Sequence, residues 1–395
     1  MSVSNGRQFL SIPGPTTVPD EVLNAMHRPA IDIYAGALVG ITESCLEDLG
    51  SIFRTKGRVY VYAANGHGAW EAALSNVLSR DERILIMESG SFARGWGETA
   101  AMLGIKVERI SNDGRHAVDG TALEARLGED KAGTIKAVLV VQVDTASGVV
   151  NDIAAVRKAM TASGHGALLM VDVIASLAIM PFEMDAWGVD VAVAASQKGL
   201  MTPPGLSFIA AGEKAVAAHS NAGLRTFYWD WTGREGPLHY QKYCGTPPEH
   251  LMFGLRKALD MLLEEGLDNV FHRHRLIAEA VRRAIGVWAA SGMLEFNIFE
   301  LAERADSVTT ILIDEPPGAA RLLKYCEEKC GVVLGRGIGE LDGKAFRIAH
   351  MGHVNAPMIL GTLGATEMGL TALGVASAKG GVEAAIDGLA QAVPA

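Results

Sequence analysis

VDVAVAASQKGL, residues 189–200, decides how the chain is to be read. An apolar run, VDVAVAA (189–195), passes into Ser196, Gln197, Lys198 and a glycine. Runs that are apolar on both faces are strands covered on both sides, as in parallel sheets. A lysine is almost never fully buried without a reason. Lys198 is therefore either a surface residue that closes a strand or an amine held at a strand end to do chemistry.

The same pattern recurs outward from this stretch. Strands are expected at RVYVYAA (58–64), RILIMES (83–89), KVERI (106–110), KAVLVVQV (136–143), ALLMVDV (167–173) and LSFIAAG (206–212). Helical spacing is read between them at AWEAALSNVL (69–78), GWGETAAML (95–103) and DIAAVRKAMTASG (152–164). Repeated β–α order argues an α/β fold with a mostly parallel, doubly wound central sheet. In such sheets ligands sit at the carboxyl ends of the strands. From about residue 252 the pattern changes to two long amphipathic helices. Shorter strands follow, SVTTILI (307–313) and AFRIAH (345–350), around the helix ARLLKYCEEKCG. The expected division is an N-terminal segment, 1–20, a large domain, 21–268, and a smaller C-terminal α+β domain, 269–395.

The 395 residues are 49% hydrophobic and 20% charged with a net charge of −10, enough for a sizeable core and without the basic run that nucleic-acid binding needs. The start, MSVSNGRQFL, lacks a signal peptide's apolar centre. No window approaches the roughly 18 consecutive apolar residues of a membrane span. Cys326 and Cys330 stand four apart in CEEKC with no histidine beside them, so with Cys45 and Cys244 they read as reduced thiols rather than a metal site. No metal and no membrane or nucleic-acid partner is expected, and a cytoplasmic location is.

Several strand ends carry chemistry. NGHGAWEAA (65–73) is a glycine-bearing turn leading into a helix, which suits a phosphate but is also an ordinary β–α turn. Asp144 and Thr145, in DTASG (144–148), are a turn and cap or a ligand contact. Asp172 follows an apolar run and needs a cation or strong donors. Phe92, in SGSFARG, offers an aromatic face. Pyridoxal phosphate uses all of these together: an amine for a Schiff base, a carboxylate for its ring nitrogen, donors for its phosphate and a face to stack on.

The ordered set PGPTTVP (13–19), NGHG…EAA (65–73), SGSFARGW (89–96), DTASGVVNDI (144–153), VDVIAS (171–176), SQKGL.TPPGL (196–206), RTFYWDW (225–231), YCGTPP (243–248) and FRIAHMG (346–352) resembles the class V aminotransferases. It is most similar to their serine–, alanine– and aspartate–glyoxylate group. The resemblance implies pyridoxal phosphate transferase fold type I. It implies Lys198 as the Schiff-base lysine and acid/base, and Asp172 against the ring nitrogen. Phe92 would stack on the ring and Thr145 would contact its hydroxyl side. Gly66, His67 and Gly68 would cradle the phosphate, with Ser196 and Gln197 adding contacts. Tyr243 and Thr246 would reach the phosphate of a neighbouring subunit, which makes a homodimer with shared active sites, a tetramer staying open. Arg347 would clamp the substrate carboxylate, a role that a forked guanidinium suits. The activity implied is transfer of an amino group from serine or alanine to glyoxylate or pyruvate.

The chain departs from the family pattern in places. IDIYAGAL (31–38) stands where the family commonly carries histidine and arginine. That removes a cation for an anionic side chain and argues against aspartate as donor. Tyr34 in this segment keeps pyridoxamine–pyruvate aminotransferase open as an alternative. Arg336, in GRGIGELDG (335–343), offers a second positive charge over the site or is a solvated loop residue. Ala175 replaces a serine. A lyase or desulfurase of the same fold is a further alternative; a desulfurase needs a cysteine at the site, which directs attention to Cys244. A dinucleotide-binding dehydrogenase is excluded, because NGHGAW does not supply its glycine pattern.

Overall fold

The computed structural model describes residues 2–315, 318–375 and 378–393. Its larger sheet has seven strands, in the spatial order Arg58–Tyr62, Ser207–Ala211, Val191–Ala195, Leu168–Asp172, Ile135–Val141, Arg83–Glu88 and Lys106–Ser111. Only Ser207–Ala211 runs against the rest, pairing antiparallel with both of its neighbours. The cause is its connection: the chain leaves Ala195 and returns at Ser207 too soon for a crossover, so it can only come back beside the strand it left. The other strands point their carboxyl ends to one edge, with Asp172 opposite Val141 on one side and Val193 on the other.

The strand expected over 136–143 stops at Val141. Gln142 donates its backbone N–H to the Asp172 carbonyl, and Val143–Asp144 then pairs with Val149–Val150 in a separate two-stranded ladder. Helices start at side-chain caps. Asn65 caps Gly66–Val77 and Asp152 caps Ile153–Ser163, each with an oxygen accepting first-turn N–H groups. The first of these begins three residues earlier than its apolar pattern indicates, because the cap and two glycines carry no apolar signal. The helix Ser91–Met102 likewise starts earlier than expected. The segment Cys326–Cys330 continues the helix Ala319–Tyr325 as a π-helical turn rather than as regular helix.

The second sheet has five strands, ordered Phe9–Ser11, Val332–Arg336, Ala345–Ala349, Val308–Ile313 and Leu294–Phe296. Its edge strand comes from the N-terminal segment, with Phe9 opposite Val332 in parallel register. Residues 12–16 then run from this sheet to the carboxyl edge of the larger one. The helix Glu249–Glu265 gives Leu255, Leu259 and Leu262 to the core under the larger sheet. The next helix, Leu267–Trp288, gives Ile277, Val281 and Ile285 to the core of the second. Gly266, at φ +81°, makes the turn between them. Among the described residues no helix is long and apolar enough to cross a membrane.

Candidate active site

A cavity of about 290 Å³ opens at the carboxyl edge of the larger sheet, under residues 14 and 15 of the N-terminal segment. Lys198 and Asp172 both line it. Lys198 lies in the turn after Val191–Ala195, where Thr16 donates its N–H to the Gln197 carbonyl and its hydroxyl to the Lys198 carbonyl. The ammonium donates to the Pro13 carbonyl. Burial, then the nearby Arg347 cation, push Lys198 down to about 8, with Asp172 pulling the other way. An amine in that range is free base for a useful fraction of time near neutrality.

Asp172 is buried and pushed up to about 7, chiefly by burial, against the donors that serve it. Its Oδ1 accepts the Ile174 N–H at 2.7 Å and its Oδ2 accepts the Trp70 indole N–H at 2.7 Å. Among the described residues no cation stands within ion-pair distance of it. A buried carboxylate with two neutral donors has lone pairs left for a protonated ring nitrogen.

The wall of the cavity follows the turns. Phe92 starts the helix Ser91–Met102, which begins where Asp144 accepts the N–H groups of Phe92 and Ala93. Asp144 therefore caps this helix from another strand. Thr145 lines the cavity and offers its carbonyl to Arg347 Nη1 at 2.8 Å. Arg347 Nε donates to the Arg336 carbonyl at 2.8 Å, and among the described residues Nη2 has no partner. Burial pushes Arg347 down to about 10. The guanidinium is thus held at two of its nitrogens and open at the third.

The turn at residues 65–68 lies on the same wall, but its amides are only partly open. Asn65 Oδ1 accepts the N–H groups of His67 and Gly68, and among the described residues only the Gly66 N–H of these three has no acceptor. The two glycines are also required by packing. A Cβ at Gly66 would stand 2.5 Å from Ile174 Cδ1, and one at Gly68 would stand 2.8 Å from the Ala64 Cβ. Gln197 lines the cavity with its Oε1 buried and, among the described residues, without a partner.

Five site residues singled out in the sequence lie elsewhere. The Ser196 hydroxyl donates to the Pro203 carbonyl, so the turn consumes it. Tyr243 is in the core with its hydroxyl 2.6 Å from Thr42 Oγ1, turned inward rather than toward a neighbour. Tyr34 is 69% exposed, edge-on to Tyr240, and outside the cavity. Arg336 is exposed; its carbonyl holds Arg347, and its cation acts on Arg347 from outside the cavity, lowering its pKa. Thr246 is exposed on the surface. Cys244 bonds the Phe227 carbonyl, and among the described residues no cysteine lines the cavity. Two residues went unread: Asn65, whose signal was its capping position, and Trp70, which looked like an ordinary apolar helix residue.

A low-pKa amine, a carboxylate short of a cation, an orphaned amide oxygen and a helix N-terminus around one cavity fit pyridoxal phosphate. This fold and site define a pyridoxal phosphate-dependent enzyme. The chain belongs to the class V aminotransferase family, whose family model matches residues 9–338, and it is an aminotransferase. The serine–glyoxylate aminotransferase of Methylorubrum extorquens is 39% identical over 389 residues, covering 96% of this chain and 95% of that protein. The L-aspartate–glyoxylate aminotransferase of Paracoccus denitrificans is 35% identical over 365 residues, covering 92% and 91%. The crystal structure of pyridoxamine–pyruvate aminotransferase from Mesorhizobium loti superposes with a TM-score of 0.90 at 25% identity, covering 100% of both chains.

Proposed function

We propose that the amino donor is a small neutral amino acid, serine or alanine, and that the acceptor is glyoxylate or pyruvate. One observation carries this: apart from Lys198, no lysine or arginine lines the cavity among the described residues, and Arg347 stands beside it with one open nitrogen. One carboxylate is thereby provided for, not two. Aspartate would bring a second carboxylate into a cavity with no cation to receive it.

In this reading Arg347 fixes the substrate α-carboxylate through Nη2 while the Thr145 and Arg336 carbonyls hold the fork in place. Lys198, as free base, removes the α-proton and returns it at the other end of the reaction. When bound, pyridoxal phosphate supplies the electron sink for that step. Asp172 would hold the ring nitrogen protonated, Phe92 would cover a ring face, and Thr145 would face the ring hydroxyl. The Gly66 N–H, His67 and Gln197 would serve the phosphate. Thr246, exposed on its loop, is proposed to serve the phosphate of a second copy, which makes the working unit a homodimer. The four free thiols suit a reducing compartment such as the cytoplasm. One observation favours a second reading with pyridoxamine as donor: Asn65 already takes two amides that a phosphate would use.

The test is a screen of serine, alanine, aspartate and pyridoxamine against glyoxylate and pyruvate. Serine or alanine should lead. Faster turnover of aspartate would overturn the donor assignment. Lys198→Ala should lose the visible band of the attached cofactor; its retention would overturn the assignment of the lysine.

A further inference from the structure

The indole of Trp70 is 1% exposed, and its N–H meets Asp172 Oδ2 at 2.7 Å. A buried indole here does not find a partner by default: among the described residues the Trp96 Nε1 has none. The ring of Trp70 is clamped in place. Trp96 stacks on it at 6.1 Å and 18°, and His67 stands edge-on at 4.7 Å. Trp70 also sits one turn into the helix whose first residue is Gly66. A single rigid helix thus joins the turn beside the cavity to the donor on Asp172.

We infer that Trp70 is a positioning residue for the transamination, acting through Asp172. It does not compete for the amino substrate. Its N–H favours the ionised carboxylate over the neutral acid, against the desolvation that disfavours the charge. It also fixes the plane of the carboxyl group, so the lone pairs left over point into the cavity. A carboxylate held ionised keeps its proton on the cofactor's ring nitrogen rather than taking it back. Remove the indole N–H and the shared proton moves toward Asp172. The ring then draws electrons less strongly, and the nitrogen attached to Lys198 becomes more basic. The inference rests on the role proposed for Asp172.

The experiment compares Trp70→Phe, which keeps an aromatic ring but no N–H, with Asp172→Asn, both as full-length holoenzyme. For Trp70→Phe the pH midpoint of the bound cofactor's visible band should rise by about one unit, as loss of one charge-assisted hydrogen bond implies. The kcat should fall about tenfold or more with KM for the amino donor unchanged. Trp70→His, which restores an N–H, should recover part of the spectral shift. A Trp70→Phe midpoint equal to wild type, beside a shifted Asp172→Asn, would overturn the role of Trp70 alone. An unshifted Asp172→Asn would overturn the reading of Asp172 on which it rests. Should Trp70→Phe not fold, wild-type protein with ¹⁵N-labelled tryptophan decides. One indole N–H proton should lie far downfield and move on Asp172→Asn; a spectrum unchanged by that substitution overturns the inference.

Discussion

The backbone of Gly14 runs so close to Lys198 that a Cβ built on it would stand 2.3 Å from Nζ and 2.6 Å from Cε. Gly14 also sits at φ +105°, where a side chain is strained whatever the space. The N-terminal segment therefore covers the amine with bare backbone. Gly14→Ala must displace either the lysine or the segment from Phe9–Ser11 onward. We expect a weakened visible cofactor band and a kcat lower by about tenfold or more, read by absorbance and steady-state kinetics. A variant with normal cofactor attachment and turnover would mean that the segment swings clear in the working enzyme.

The titration of Asp172 predicts a pH effect on the cofactor-free protein. Its carboxyl is raised from 3.8 to about 7 by burial. Between those values the folded state holds a proton that the unfolded chain has released, so stability falls as pH rises through the window. Asp172→Asn removes this dependence. From about pH 5 to about pH 8 the variant should gain on wild type by on the order of 2–3 kcal/mol, whatever its offset at acid pH. Urea unfolding at the two pH values measures it. Lys198, lowered to about 8, acts with the opposite sign: it adds stability above the unfolded-chain value of 10.5, lost as pH falls toward 8.

Lys198 and Asp172 were legible because each interrupts an apolar pattern at a strand end, and a charge there needs an explanation. The order of strands and helices was legible for the same reason, as were the helices of the second half. What periodicity could not convey was direction. Trp70 reads as core from its spacing, and its N–H meets Asp172 only because the helix Gly66–Val77 packs on Val191–Ala195, the strand beside Leu168–Asp172. Ser196 and Tyr243 carry hydroxyls that suit a phosphate, but the Pro203 carbonyl and Thr42 claim them inside the fold. The pairing of Phe9–Ser11 with Val332–Arg336 joins the N-terminal segment to a strand far along the chain, and no local pattern records a contact of that span.

Arg347→Lys tests whether the fork or only the charge matters. Arg347 spends Nε on the Arg336 carbonyl and Nη1 on the Thr145 carbonyl, and among the described residues Nη2 has no partner, which leaves it for the proposed substrate carboxylate. A lysine cannot be held at two nitrogens while it offers a third. We expect kcat/KM for both amino donor and oxo acid to fall about 100-fold, with the cofactor's visible band unaltered. Equal losses for donor and acceptor are required, since both carry the same carboxylate. A loss confined to one would place the clamp elsewhere.

Tyr243 and Thr246 stand three residues apart, and the structure separates their roles. His239 Nδ1 lies 2.7 Å from the Ile33 carbonyl, an acceptor only, so Nδ1 carries the proton. His239 Nε2 must then accept from the Thr42 hydroxyl at 2.9 Å, which leaves the Thr42 oxygen to accept the Tyr243 O–H. The tyrosine hydroxyl thus ends a buried chain that pins the backbone before Tyr34. Tyr243→Phe removes that last donor and should cost about 1 kcal/mol of stability, seen as a lower urea midpoint. It should leave cofactor affinity unchanged. Thr246→Ala, on the exposed loop proposed to reach a second copy, should do the reverse: little loss of stability, and a cofactor dissociation constant raised about tenfold. If Tyr243→Phe instead weakens cofactor binding without destabilising the fold, its hydroxyl leaves Thr42 in the working enzyme and reaches the phosphate after all.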